Sequence, residues 1–266
     1  MLIERLWPDN RLRNFHYLIA CESTGEALAV DPLDSQLMLD TARERGWTIT
    51  QILNTHEHAD HTAGNAAVKA ATGARILAHA GAATKIGGVD RGLAAGDIIK
   101  VGNSVELTCL DTPGHTMSHI CLLAQGGASE APALFSGDTL FNAGAGNCHG
   151  GGHPQALYHT FATQLAKLPD ATRLYAGHDY LVNNLAFTLD REPGNAAATT
   201  LLEQTRPRAA LDMPITTLGE EKSFNAFFRL QNPRLIARLR ENFPDLGENP
   251  LPEVVFLRLR ELRNTW

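Results

Sequence analysis

The chain has 266 residues, 44% of them apolar, and carries 23 Lys and Arg against 29 Asp and Glu, a formal charge of −6. That apolar share excludes a disordered chain, and the acidic balance excludes nucleic-acid binding through a basic field. Eleven histidines stand against four cysteines, Cys21, Cys109, Cys121 and Cys148, and no C-x-x-C pair occurs, which excludes a disulfide scaffold and a thiolate zinc knuckle.

The first residues meet Glu4, Arg5 and Asp9 too early for the apolar segment of a signal peptide. No stretch nears the roughly 20 apolar residues that span a bilayer, so a cytoplasmic protein without a membrane partner is expected. Residues 15–20 predict a strand, Thr24 and Gly25 a turn, and residues 27–30 the hairpin partner. Asp34 predicts the N-cap of a helix carrying Leu37 and Met38 and closed by Gly46. A strand over 49–53, a helix over 63–71 ending at Gly73 and a strand over 74–78 follow. Residues 97–101 and 105–110 predict antiparallel strands around Gly102 and Asn103. Further strands are predicted at 120–124, 133–135 and 173–176. A helix over 155–168 places Leu157, Phe161 and Leu165 on one face. Strands interleaved with helices predict a layered α/β architecture with mixed sheets.

After residue 180 the strand-like runs end. Helical patterns occupy 181–190, 196–206, 233–242 and 252–263, broken at Pro193, Pro207, Pro214 and Pro244. The expected organisation is a metal-binding α/β body over 1–180 and a helical, substrate-binding part over 181–266.

The metal expectation comes from residues 54–61 (Asn-Thr-His-Glu-His-Ala-Asp-His), where His56, His58, Asp60 and His61 follow an apolar strand directly. Extended backbone points His56 and His58 to one side. Asp60 and His61 fall in the turn that enters the next helix. One mononuclear site cannot easily use all four, so the spacing suits two metals. His115, Asp138 and His178 each sit just past a strand end and directly after a glycine (Gly114, Gly137, Gly177), which permits close backbone approach. Two divalent ions against Asp60, Asp138 and a bridging hydroxide leave a net charge of about +1, suited to stabilising an oxyanion. Nitrogen and oxygen donors fit zinc, iron or manganese.

These motifs, Thr55 to His61, Pro113 to Thr116, Gly137 to Phe141 and Gly177 with His178, resemble the metallo-β-lactamase superfamily in order and spacing. The resemblance implies an αββα sandwich with two divalent metals, zinc foremost, at one edge between two sheets. Within the superfamily the chain is similar to the glyoxalase II (hydroxyacylglutathione hydrolase) family. Tyr180 followed by Asn183 and Asn184, the segment 222–229, and Arg260 with Arg263 in the closing helix carry that likeness. It implies that His56, His58 and His115 hold one metal, that Asp60, His61 and His178 hold the other, and that Asp138 bridges them. Asp60 would also orient the water.

The implied reaction is thioester hydrolysis, typically of S-2-hydroxyacylglutathione, by attack of a metal-bridging hydroxide, with a role in methylglyoxal detoxification. A thiolate leaves readily, since its acid has a pKa of about 8.5. The family pattern puts substrate contacts at Asn147, His149 and Arg263; Tyr180, just past His178, and Arg260, on one helix face with Arg263, are candidates by position. Asn147 stands where the family has a lysine, His149 near a family tyrosine, and Arg263 at a family lysine, so the thiol half of the substrate is the variable part. Three alternatives accompany this reading. One is a persulfide dioxygenase with a single iron on His56, His115 and Asp138. Another is a hydrolase of another thioester or a lactone. The third is a binding protein that kept the metal scaffold.

Overall fold

A computed structural model describes residues 1–125 and 130–266. The chain begins with β1 (Leu2–Leu6), β2 (His16–Ala20), β3 (Glu26–Val30), α1 (Ser35–Glu44), β4 (Thr48–Asn54), a single turn α2 (Ala59–Thr62) and α3 (Asn65–Thr72). It continues through β5 (Arg75–His79), β6 (Val89–Leu93), β7 (Ile98–Val101), β8 (Val105–Asp111), β9 (Ile120–Ala124), β10 (Ala133–Gly137), β11 (Leu140–Phe141), β12 (Gly144–Ala145), α4 (Pro154–Thr163) and β13 (Arg173–Ala176). Five helices close it: α5 (Leu181–Arg191), α6 (Ala196–Thr205), α7 (Leu218–Phe224), α8 (Pro233–Asn242) and α9 (Pro252–Arg263).

The strands form two large sheets, ordered β1-β2-β3-β4-β5-β6 and β13-β10-β9-β8-β7, and β11 pairs with β12 in a small hairpin. Both large sheets are mixed. The pairs β3/β4, β4/β5 and β5/β6 are parallel in the first, and β10/β13 is parallel in the second. Alternation along each strand sends side chains to two different cores. Tyr17, Ile19, Leu28, Val30 and Leu53 point inward to meet Leu107, Leu122, Phe135 and Tyr175 of the facing sheet. Leu18, Ala29, Ile52 and Ile76 point outward against Met38 and Ala42 of α1 and Val68 of α3. Leu123, Leu134 and Leu174 meet Leu157 and Phe161 of α4 and Phe256 and Leu259 of α9. Because helices cover both outer faces, the central strands β3, β9 and β10 are buried almost throughout. The result is the expected αββα sandwich with a helical C-terminal region.

Local chemistry sets the element ends. Asp34 caps α1 by accepting from the Leu37 amide at 2.9 Å. Gly73 ends α3 in the left-handed region that glycine tolerates. Three expectations need correction. The helix expected over 155–168 stops at Thr163 and gives way to a separate 3-10 turn (Leu165–Lys167). The helix expected from Ala63 begins at Asn65, and a separate single turn, α2, precedes it at Ala59–Thr62. Strands β1 and β6 and helix α7 were not anticipated. The C-terminal helices share their apolar core with α4 and the second sheet. No described helix is long and apolar enough to cross a membrane.

Candidate metal centre

The C-terminal ends of β4, β8, β10 and β13 open onto one edge of the sandwich, where the loops after them gather the sequence-predicted donors. His56 and His58 follow β4, Asp60 and His61 lie in α2, His115 follows β8, Asp138 follows β10 and His178 follows β13. All seven come together. Three overlapping triads have their donor atoms within 4.8 Å of one another: His56/His58/His115, His56/His61/Asp138 and Asp60/His61/His178. Asp138 spans the two ends. Its Oδ2 lies 3.5 Å from His115 Nε2 and 3.2 Å from His178 Nε2, and its Oδ1 lies 3.4 Å from His61 Nε2.

The outer hydrogen bonds determine where each imidazole lone pair points. Backbone carbonyls can only accept, so His115 Nδ1 donates to Asn147 O at 2.7 Å, His178 Nδ1 to Leu12 O at 2.7 Å and His58 Nε2 to Gly150 O at 3.0 Å. Asp31 Oδ2 accepts from the Thr55 hydroxyl at 2.7 Å and from His61 Nδ1 at 3.0 Å. The Thr55 hydroxyl, its proton so committed, accepts from His56 Nδ1 at 3.0 Å. Every neutral ring therefore turns a bare nitrogen inward: His56 Nε2, His58 Nδ1, His61 Nε2, His115 Nε2 and His178 Nε2. These nitrogens have no proton to share, yet His58 Nδ1 lies 3.0 Å from both His56 Nε2 and His115 Nε2. Asp138 Oδ1 is buried without a hydrogen-bond partner. Five converging lone pairs and an orphaned carboxylate oxygen are what divalent cations require, so the donor set fits two such ions.

Electrostatics agree with the geometry. Burial opposes charge on His61, yet with no cation bound the carboxylates around it favour a second proton on that ring. Burial likewise opposes ionised Asp138 and Asp60, but the charges of His178 on Asp138 and of His61 on both outweigh it and lower the two carboxyls, the same response that a divalent cation would draw. Glycine is demanded twice beside Asp138. At Gly137, with φ of +46°, a Cβ would lie 2.6 Å from Thr55 Oγ1, and at Gly177 it would lie 2.6 Å from Asp138 Oδ1.

Three supporting residues escaped the sequence reading. Asp31 orients His61 and Thr55. Asn14 donates from Nδ2 to Asp60 Oδ2 at 3.0 Å. His119 is fully buried. Its Nε2 accepts from the Asp138 amide at 3.2 Å. Asp31 stood at a strand end like the ligands, and that position was its available signal. Glu57, inside the dense motif, turns away to Lys85 and the Thr116 hydroxyl.

The five expected substrate contacts, Asn147, His149, Tyr180, Arg260 and Arg263, all line one cavity of about 280 Å³ beside the metal centre. Their groups are unequally free. Arg260 is buried, and its Nη1 donates to Ala145 O at 2.8 Å and Gly146 O at 3.0 Å, so much of its guanidinium serves the chain itself. Arg263 is half-buried and gives Nη2 to Asn184 Oδ1 at 3.0 Å. The Tyr180 hydroxyl donates to Leu12 O at 3.0 Å, and its ring stacks on His178. Asn147 and His149 are exposed at the mouth. A larger cavity of about 470 Å³ between α6 and α7 touches none of the seven donors.

Comparison with known proteins matches residues 14–178 to the metallo-beta-lactamase superfamily and residues 179–266 to the hydroxyacylglutathione hydrolase C-terminus. The hydroxyacylglutathione hydrolase of Polaromonas sp. strain JS666 is 63% identical over the whole of both chains. Among solved structures, ETHE1 from Myxococcus xanthus superposes with a TM-score of 0.67 at 26% identity, covering 97% of this chain and all of that one. TTHA1623 in a di-iron-bound form superposes with a TM-score of 0.53 at 25% identity, covering 67% of this chain and 92% of that one.

Proposed function

Because the chain belongs to the hydroxyacylglutathione hydrolase family of the metallo-beta-lactamase superfamily, it is a metal-dependent hydrolase of hydroxyacylglutathione thioesters, and we propose how its residues divide the work. His56, His58 and His115 would hold one ion, Asp60, His61 and His178 the other, and Asp138 would serve both. The observation that carries this assignment is the convergence of five proton-free imidazole nitrogens on the Asp138 carboxylate. Zinc is the ion we propose, with iron or manganese served by the same donors. Bound there, two such ions supply Lewis acidity and a water acidic enough to ionise near neutral pH.

The protein's own part is positioning and proton handling. Asp60, steadied by Asn14, would orient the attacking water as well as hold metal. Asp31 keeps His61 in one tautomer, and His119 fixes the backbone of Asp138. Residues 1–180 supply this centre. Residues 181–266 supply the Arg260 and Arg263 side of the cavity, a cationic wall suited to the carboxylates of a glutathione-like thiol. The cytoplasm is the proposed compartment, since the four cysteines are free thiols. The dioxygenase alternative needs only His56, His115 and Asp138, and would give no role to the second triad of Asp60, His61 and His178.

The test is elemental analysis of the protein as isolated, run beside a panel of acylglutathiones, other thioesters and lactones. Two equivalents of metal and fastest thiol release from a 2-hydroxyacylglutathione are expected. One iron per chain with oxygen uptake on a glutathione persulfide would overturn the reading.

Asn147 offers a separate check on the cavity. It is exposed and lines the cavity together with Arg263. Asn147→Lys adds a cation facing an anionic thiol carrier, worth about 1 kcal/mol at a solvent-exposed position, or a roughly fivefold lower KM for a glutathione thioester. The gain should shrink at high salt. An unchanged or raised KM at low salt would place the thiol half elsewhere.

A further inference from the structure

The hairpin of β11 and β12 walls the cavity with Phe141 and Ala145. The Phe141 ring stands edge-on to His178 and Tyr180, with centroids 5.7 and 5.2 Å away. The turn is made by Asn142 and Ala143, and Ala143 sits at φ +57°. That is left-handed backbone, which an alanine rarely adopts. Something outside the hairpin must hold it.

The hold comes from buried polar side chains of the C-terminal region. Glu221 on α7 is fully buried. Its Oε2 accepts from the Ala143 amide at 2.8 Å and from Asn225 Nδ2 at 2.9 Å, and its Oε1 accepts from the Thr216 hydroxyl at 2.7 Å. Asn225 Nδ2 also donates to Gly144 O at 3.2 Å. Asn142 Nδ2 donates to Thr216 Oγ1 at 2.7 Å, while Asn142 O accepts from Asn184 Nδ2 at 2.9 Å. Asn184 Oδ1 in turn accepts from Arg263, another cavity residue. A carboxylate is the one side chain of this length that accepts on both oxygens at once. Burial pushes Glu221 up to about 7 against the donors that favour its charge. No ion pair with a cation accompanies it among the described residues.

We infer that Glu221, with Asn225 and Thr216, is a positioning device through which the C-terminal helices fix the β11–β12 hairpin as a wall of the substrate cavity. It touches neither substrate nor metal donors and acts through Ala143 and Gly144 on Phe141 and Ala145. The inference rests on the proposed reading of that cavity as the thioester site. It gives a task to the segment 222–229 that metal chemistry leaves unused.

Glu221→Gln tests it, because glutamine keeps the volume and accepts on only one oxygen. Whichever way the carboxamide turns, its NH2 group faces either the Ala143 amide or the Thr216 hydroxyl, so the charge and one accepted bond of the network are lost. Amide exchange at Ala143 should quicken about tenfold and KM for a hydroxyacylglutathione should rise about tenfold, the scale of one lost charge-assisted hydrogen bond. Metal content should stay at the wild-type value and kcat should change less than KM. If the variant does not fold, Thr216→Val removes a single donor from the same carboxylate and is measured in the same way. Wild-type exchange at Ala143 with wild-type KM would overturn the inference. So would a lowered Tm with KM unmoved, which marks a role in folding alone. Should the wild-type protein cleave no thioester, the proposed function falls, while Ala143 exchange still decides whether Glu221 holds the hairpin.

Discussion

Asp138→Asn is expected to lower kcat on a hydroxyacylglutathione by about 10³-fold and to cost the protein at least one equivalent of metal. The size follows from where the carboxylate sits. It is the one acidic group that approaches both ends of the donor cluster, with Oδ2 at 3.5 Å from His115 and 3.2 Å from His178, and Oδ1 at 3.4 Å from His61. Asparagine preserves the shape but removes a negative charge from between two divalent ions. It also aims an amide N–H at atoms that need an acceptor. Rotation gives no escape, because a flip of the carboxamide only exchanges which end of the cluster meets the NH2 group. Metal content and steady-state turnover are measured on the same preparation. A variant that keeps two equivalents and turns over within about tenfold of wild type would remove Asp138 from the bridging role.

The same geometry explains what sequence reading could reach. The dense 54–61 motif and the strand-end ligands were visible because β10, most of β13 and the last three residues of β4 are buried, while the alternating β8 has its end marked by Pro113 and Gly114. The unanticipated β1 and β6 are the two edges of the first sheet. Their half-exposed residues, such as Glu4, Arg5, Asp90 and Arg91, dilute the apolar signal. Helix α7 did carry a signal, since Thr217 and Glu220 form a reciprocal capping box, but its seven residues are too few to show a period.

Support residues were harder for a different reason. Asn14 reaches Asp60 across 46 positions, and Glu221 reaches Ala143 across 78. Such pairs exist only once the chain is folded, and neither residue type announces its burial. The arginines differ in a way that sequence does not show: both line the cavity, but packing ties Arg260 to the carbonyls of Ala145 and Gly146 and leaves Arg263 only half-buried.

Removal of metal by a strong chelator should abolish turnover and lower Tm together, and return of two equivalents should restore both. The coupling is thermodynamic. An ion that binds only the folded chain stabilises it by about 2.7 kcal/mol when free metal stands 100-fold above its Kd. For a chain of this length each kcal/mol moves Tm by about 2–4 °C, so each site contributes a shift of roughly 5–10 °C. The stripped protein also keeps a local penalty. Five imidazole nitrogens still converge, with His58 Nδ1 at 3.0 Å from two others and His61 Nε2 at 3.3 Å from His178 Nε2. Without cations these lone pairs repel until one ring takes up a proton or the loops after β4 and β8 move apart. Stepwise return of metal separates the sites, because Asp138 belongs to both and occupancy of one fixes it for the other. Calorimetry beside thiol release is the measurement. A chelated protein with unchanged Tm and undiminished hydrolysis would show that the cluster is neither a metal centre nor the place where the thioester is cut.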